Sequence, residues 1–279
     1  MLTIGTSSEI RTLSRECSGV MGFVPTMGAL HKGHISLLKR ARSECDYLTV
    51  SIYVNPTQFE EQQAHQSYPR DLKNDLELCN EIGVDFAFTP DNSEIYGKND
   101  ETIVTLPYLG TVLEGVSRPG HFAGVAGVVL RLLNIVDADR AYFGAKDAQQ
   151  IRVIKRLVKD LHINTAIIEC PTVRTSDGLA LSSRNVFLSA HERIQALSLS
   201  AGLFKADQAF QIGERSARQL RRLVRSTIVD QDIISIDYVS LADSETLAEL
   251  TGDVQNDALL SIAAMVGSTR LIDNIVLVV

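Results

Sequence analysis

The chain has 279 residues, a formal charge of −7 at neutral pH and apolar side chains at 45% of positions, enough to bury a core in one large domain or two modest ones. Acidic balance counts against general nucleic-acid binding, which draws affinity from Lys and Arg neutralising phosphates. The apolar runs fall far short of the roughly 18 to 20 residues that span a bilayer, and residues 1–10 lack a basic, then apolar, secretory signal, so no membrane partner and a cytoplasmic location are expected.

Through the first two-thirds, short β-prone runs alternate with helical patterns, as in a parallel sheet covered on both faces. A first strand ends at Gly22-Phe23-Val24. A helix over 33–43 follows, with Ile35, Leu37, Leu38 and Ala41 as its apolar positions, and a strand over 47–54 completes one βαβ unit. The pattern continues with a helix at 72–82, a strand at 85–88, a helix at 126–135, a strand at 141–143, a helix at 148–161 and a strand at 165–168. After Pro171 the texture changes. A polar loop, Thr175-Ser176-Asp177-Gly178, leads to helices over 189–210 and up to about 228, then strands at 234–241, 258–266 and 271–277. The expectation is an α/β protein: a Rossmann-like doubly wound parallel sheet in residues 1–172 and a smaller α+β domain in 173–279.

The segment Pro25-Thr26-Met27-Gly28-Ala29-Leu30-His31-Lys32-Gly33-His34 lies between the first strand and the first helix, outside a strand's carboxyl end, where doubly wound sheets bind ligands. A helix N-terminus favours phosphate through unpaired backbone N–H groups and its dipole. Gly28 and Gly33 permit close approach, and His31 and His34 can donate to phosphate oxygens. No Glu follows His31 and no third ligand is near, so a metal site is not read here. Cys17, Cys45, Cys79 and Cys170 are scattered without a C-x-x-C pair, so no metal ligand is assigned and the thiols are expected to be reduced and mostly buried. The absence of G-x-G-x-x-G and of a suitably placed G-K-[ST] removes dehydrogenase and P-loop kinase readings.

A second cluster, Phe143-Gly144-Ala145-Lys146-Asp147-Ala148-Gln149-Gln150, follows a later strand and is expected to face the first across the strand-order reversal. Lys146 can neutralise phosphate, Asp147 can hold a ribose hydroxyl or a Mg²⁺-bound water, and Gln150 can serve a small polar substrate; a plain helix start is the other reading. In Leu181-Ser182-Ser183-Arg184-Asn185, hydroxyls and a guanidinium form a donor set for polyphosphate on a loop able to close. In Asn55-Pro56-Thr57-Gln58-Phe59, Gln58 is the natural ligand for a substrate hydroxyl or carboxylate, against a turn set by Pro56. Ser117-Arg118-Pro119-Gly120-His121-Phe122-Ala123-Gly124-Val125 adds Arg118 and His121 on a glycine-rich helix start. Arg218, Arg221, Arg222 and Arg225 read as a solvated helix face.

In order, P-T-M-G-A-L-H-x-G-H, N-P-T-Q-F, Y-P-R, S-R-P-G-H-F-x-G-V, F-G-x-K-D-x-Q-Q, L-S-S-R-N and G-S-T-R-L-I-D-N resemble the pantothenate synthetases, or pantoate–β-alanine ligases, of the H-x-G-H nucleotidylyltransferase superfamily. The resemblance spans Gly22 to about Asn274. It implies ATP-dependent condensation of pantoate with β-alanine through a pantoyl-adenylate, giving pantothenate, AMP and pyrophosphate. By it, residues 25–34, Gly144, Ala145, Lys146, Asp147, Val173, Leu181, Ser182, Ser183 and Arg184 would bind ATP. Gln58 and Gln150 would hold pantoate, Gln58 also lying near β-alanine, with Asn55, Tyr68 and Arg118 on the substrate side. His34, the family's proton donor, would act with His31, Lys146 and Arg184; Mg²⁺ would arrive with ATP, the C-terminal domain would act as a lid, and the protein would be a homodimer. Departures fall at Gly127 and Arg131, where threonine and lysine are expected, at Asp71 for threonine, at Met265 for arginine, and across 60–67. A nucleotidylyltransferase joining a nucleotide to a phosphorylated substrate would share the first motif but leaves Gln58, Gln150 and the terminal motif unexplained. A silent ATP-binding scaffold would not need both histidines, Lys146 and Arg184.

Overall fold

The computed structural model describes residues 1–59, 65–228 and 233–279. The chain divides into two units, one of Met1–Thr111, Gly115–Ala145 and Gln150–Pro171, the other of Val112–Glu114, Lys146–Gln149 and Thr172–Val279.

In the first unit the β-prone runs form β1 (Leu2–Ile4), β2 (Met21–Thr26), β3 (Tyr47–Ile52), β4 (Phe86–Phe88), β5 (Arg140–Gly144) and β6 (Ala166–Cys170), paired in the order β1-β4-β3-β2-β5-β6. Every pairing is parallel. From β2 the chain winds outward through β3 and β4 and later through β5 and β6 on the other side, so the order reverses between β2 and β5. Helix α2 (Lys32–Glu44) packs on β2, β3 and β5 and beside α3 (Leu72–Ile82). Val24, Leu48, Val50 and Tyr142 join Leu37, Leu38, Ala41 and Cys79 in one core cluster. Phe23, Thr49 and Ala141, one residue along each strand, turn to the other face. Helix α1 (Ser7–Glu16) packs beside α4 (His121–Val136), which also meets β2. Helix α5 (Ala148–Asp160) connects β5 to β6.

Strand β1, helix α1 and the start of helix α4 differ from the sequence expectation. No element is expected from the sequence over residues 2–16: β1 is three residues long and pairs with β4, Leu2 opposite Phe86 and Ile4 opposite Phe88, and α1 follows the cap Thr6, whose hydroxyl accepts from Glu9 N–H. Helix α4 starts at His121, five positions before the expected Ala126, with Gly120 at φ 82 ahead of it. Gly124 weakens helix propensity there, but a Cβ at this position would overlap the Thr57 carbonyl, so the close approach of another backbone demands glycine and the packing overrides propensity.

The second unit carries an antiparallel meander of β7 (Ile234–Asp243), β8 (Ala258–Val266) and β9 (Thr269–Leu277). Helices α6 (Ala190–Gln211) and α7 (Ala217–Ile228) share a core with it, built from Leu199, Leu203, Leu220, Val224, Leu260 and Ile262 among others. Ser189 starts α6 with a capping box: its hydroxyl accepts from Glu192 N–H and Glu192 accepts from Ser189 N–H. Arg221 leaves the solvated face of α7 to pair with Glu249 at 2.7 Å. All four cysteines are free, and Cys45, Cys79 and Cys170 are buried.

Candidate active site

The first motif leaves the carboxyl end of β2, beside β5 at the strand-order reversal. Thr26 Oγ1 donates to Ser51 O at 2.8 Å and accepts from Gly28 N–H at 3.2 Å. Gly28 sits at φ 79 and Ala29 at φ 50, the left-handed region that a residue with a side chain seldom adopts. Asp75, 1% exposed on α3, accounts for this shape: its carboxylate accepts from Ala29 N–H at 2.9 Å and Leu30 N–H at 2.8 Å. His31 then caps α2, its Nδ1 accepting from Gly33 N–H at 3.1 Å, while His34 Nδ1 accepts from His31 N–H at 3.3 Å. The two rings lie 4.2 Å apart, centroid to centroid.

This geometry revises how the loop could meet phosphate. The backbone N–H groups of Gly28, Ala29, Leu30 and His31 are engaged within the chain, as is that of Gly33 in the first turn of α2, where the sequence predicts unpaired groups. Beside the start of α2 the motif offers a ligand two imidazoles. A neutral ring whose Nδ1 accepts carries its proton on Nε2, and both histidines have that arrangement.

The second strand end carries the substrate-side candidates. Asn55, 1% exposed, caps the short 3₁₀ turn Pro56–Gln58. Its Oδ1 accepts from Thr57 N–H, Thr57 Oγ1 and Tyr96 Oη, and its Nδ2 donates to Gly124 O at 3.2 Å. Gln58 O is gripped by Arg118 Nη2 at 3.3 Å and His121 Nδ1 at 3.1 Å. Arg118 thus holds the Gln58 backbone, a structural task the sequence did not reveal. Tyr68 packs edge-on to Phe59, 5.8 Å between centroids. Gln150 is half-buried in the first turn of α5, and Gly144 and Ala145 lie at the end of β5. Two of the departures from the family pattern, Asp71 and Arg131, make local contacts. Asp71 caps α3, accepting from Asn74 N–H at 3.1 Å. Arg131 donates to Gly127 O at 3.1 Å, pairs with Asp100 at 2.9 Å and lies 4.7 Å over the Tyr96 ring that supports Asn55. Burial raises the Tyr96 hydroxyl above its usual range and keeps it a donor. Of the atypical stretch, 60–64 lie outside the described residues.

The second unit gathers another group. Lys146, in the 3₁₀ turn Ala145–Asp147, lines one recess with Leu179, Ala180, Ser182, Asn185 and Asp273. Its Nζ lies 3.5 Å from Asp147 Oδ1. The polar loop is folded on itself: Leu181 N–H donates to Val173 O at 2.9 Å, Asn185 Nδ2 to Ala180 O at 3.0 Å, and Ser182 Oγ accepts from Arg184 N–H at 3.2 Å. Ser183 opens the 3₁₀ turn Ser183–Phe187, and Arg184 Nη1 donates to Arg270 O at 3.1 Å. Gln149, flagged only as part of a motif, accepts from Glu114 N–H at 3.0 Å and donates to Val112 O at 2.7 Å. Glu114 in turn accepts from Tyr238 Oη at 3.0 Å and Arg270 Nη2 at 2.9 Å. Burial opposes the Arg270 charge, but Glu114 and Asp237 outweigh it and hold the guanidinium charged. Among the described residues, no group of three or more His, Cys, Asp or Glu is arranged to hold a metal ion, and no helix is long and apolar enough to cross a membrane.

Residues 3–276 match the family model described as pantoate-beta-alanine ligase. A pantothenate synthetase of Pelotomaculum thermopropionicum is 47% identical over 99% of both chains. A crystal structure of pantothenate synthetase from Thermus thermophilus superposes with a TM-score of 0.93 at 40% identity, covering 99% of each chain. A pantoate-beta-alanine ligase of Francisella tularensis, complexed with beta-gamma ATP and β-alanine, superposes with a TM-score of 0.79 at 37% identity, covering 99% of this chain and 97% of that one. Sequence motifs, sheet order and near-complete overlap agree: this chain belongs to the pantoate–β-alanine ligase family, a family of enzymes.

Proposed function

We propose that the chain joins pantoate to β-alanine in two steps on one enzyme, with His31, His34, Lys146 and Arg184 acting on the nucleotide and Gln58 and Gln150 on pantoate. The observation that carries this reading is the paired imidazoles at the end of β2, each Nδ1 committed to a backbone N–H. A ring so fixed presents Nε2–H, a donor suited to phosphate oxygens. The relatives' names and the Francisella tularensis complex support ATP, pantoate and β-alanine as the substrates.

In the first step a pantoate carboxylate oxygen attacks the α-phosphorus of ATP and the bond to the β-phosphate bridging oxygen breaks, releasing pyrophosphate. In the second, the neutral β-alanine amine attacks the acyl carbon, the acyl–oxygen bond breaks, AMP leaves with that carboxylate oxygen, and the nitrogen gives up one proton to solvent. Negative charge moves onto phosphate in both steps. Catalysis is thus positioning and electrostatic stabilisation, supplied by the Nε2–H groups of His31 and His34 and the cations of Lys146 and Arg184, with His34 as proton donor. Pro25 to Gly33, Gly144, Ala145, Asp147, Val173, Leu181, Ser182 and Ser183 line the nucleotide; Asn55, Tyr68 and Arg118 set Gln58 and the substrate side. ATP enters as its Mg²⁺ complex. The donor set fits an ion carried on the triphosphate, because Mg²⁺ keeps waters and takes few protein ligands; Asp147 is the carboxylate offered to its shell. Ser182 to Arg184 shield the adenylate from water, with residues 173–279 as the lid domain and 1–172 as the ATP and pantoate domain. The protein works as a cytoplasmic homodimer.

The test is pyrophosphate release by purified protein given ATP, Mg²⁺ and pantoate, before and after β-alanine is added. Pantoate-dependent release, then AMP and pantothenate on addition of the amine, is expected. ATP binding without pantoate-dependent release would refute the proposal.

A further inference from the structure

We infer that Asn274 is a positioning residue for Lys146. The inference rests on the proposed contact of Lys146 with phosphate and adds what holds that lysine in place. The terminal motif G-S-T-R-L-I-D-N belongs to no proposed substrate contact, yet its last residues are among the most buried polar groups of the second unit: Asp273 is 4% and Asn274 8% exposed. Asn274 Nδ2 donates to Lys146 O at 2.8 Å. Its own backbone is fixed in turn. Asn274 N–H donates to Asp273 Oδ1 at 2.8 Å, and Asp273 accepts from both terminal nitrogens of Arg174, at 2.6 and 2.8 Å. Arg174 also donates to Asn274 O at 3.3 Å and Gly178 O at 3.1 Å, tying the Val173 to Arg184 loop to the same strand. Four residues earlier on β9, Arg270 O accepts from Arg184. One strand therefore holds, by separate bonds, Lys146 and Arg184, the two cations proposed to stabilise the phosphate charge.

Lys146 needs such a hold. It sits in the 3₁₀ turn between β5 and α5, and a lysine has a long flexible stem, so the backbone position decides where its ammonium can reach. A carboxamide on a packed β-strand supplies a rigid reference for the carbonyl, in the way outer residues orient the groups that touch a ligand.

A double-mutant cycle on the full chain tests this, reading the rate of pantoate-dependent pyrophosphate release. Asn274→Ala is expected to slow release by about tenfold, and Lys146→Met by about 10² to 10³. The double variant should be no slower than Lys146→Met within about twofold, because a residue that acts through Lys146 has nothing left to act on. The KM for β-alanine should move by less than about twofold in Asn274→Ala. Asn274→Asp, which keeps the size and sets an acceptor against the carbonyl, runs beside it and carries the cycle if the alanine variant fails to fold. Additive losses, an unslowed Asn274→Ala, an unslowed Lys146→Met, or loss of fold in both Asn274 variants would overturn the inference. Wild-type protein without pantoate-dependent release would instead refute the proposed function itself.

Discussion

Asp75 shows how much of the site is set by a residue that touches no proposed substrate. Its two carboxylate oxygens take the N–H groups of Ala29 and Leu30, so Ala29 is held at φ 50 and the chain arrives at His31 in one conformation. Burial, with the Asp75 charge adding, pushes the neighbouring Cys79 thiol up to about 12, so it stays neutral. In Asp75→Asn the size is unchanged, but an NH₂ group faces one of the two N–H donors. Losing a hydrogen bond to a charged acceptor costs about 1.5 to 3 kcal/mol, which predicts a rise of roughly 10 to 100-fold in KM for ATP. Steady-state kinetics checks it; an unchanged KM would show that the loop keeps its shape alone. Asp75 was open to sequence reasoning in one respect. It lies on the stripe of α3 that carries Leu76, Leu78, Cys79 and Ile82, and an acid on an apolar stripe signals a buried partner. The partner, 45 to 46 residues away, was not legible.

The elements show where glycine and charge decide packing. Gly124 in α4 lies against the Thr57 carbonyl, and Asn55 Nδ2 reaches the Gly124 carbonyl, so α4 and the turn that presents Gln58 are fitted to each other. Within a helix, Gly→Ala would ordinarily stabilise by roughly 1 kcal/mol. Overlap of the new methyl with backbone costs about 1 to 3 kcal/mol, so Gly124→Ala is expected to lower the melting temperature and raise KM for pantoate while sparing KM for ATP. A higher melting temperature with both KM values unchanged would contradict this. Glu169 on β6 meets Arg152 at 3.2 Å and Lys155 at 3.0 Å on α5. Burial raises its carboxyl, but Lys155 and Arg152 outweigh burial and hold it below the usual carboxylate range. A carboxyl depressed in the folded state contributes stability that is present above its unfolded pKa and is lost as pH falls through the lower, folded value. Glu169→Gln is therefore expected to cost about 1 kcal/mol near neutrality, with the difference from wild type closing below roughly pH 4. Thermal melts across that range check it; a constant difference would contradict it.

At the scale of the molecule, the parallel sheet was legible because alternating strand and helix patterns are local, and the motifs at strand ends follow from them. The order β3-β2-β5 then brings three motif-bearing carboxyl ends side by side, which no single segment states. What escaped the sequence is the polar scaffolding across long separations. Asn274 meets Lys146 across 128 residues and Arg270 meets Glu114 across 156, distances over which composition and periodicity carry no information. Activation of pantoate at the α-phosphorus of ATP, the centre of the proposed reaction, leaves a carboxylate oxygen of pantoate on the nucleotide. The most direct test supplies pantoate labelled with heavy oxygen in its carboxylate, with ATP, Mg²⁺ and β-alanine, and weighs the products by mass spectrometry. One heavy oxygen in AMP and none in pyrophosphate is the predicted result. Unlabelled AMP, or ADP with labelled inorganic phosphate, would contradict it.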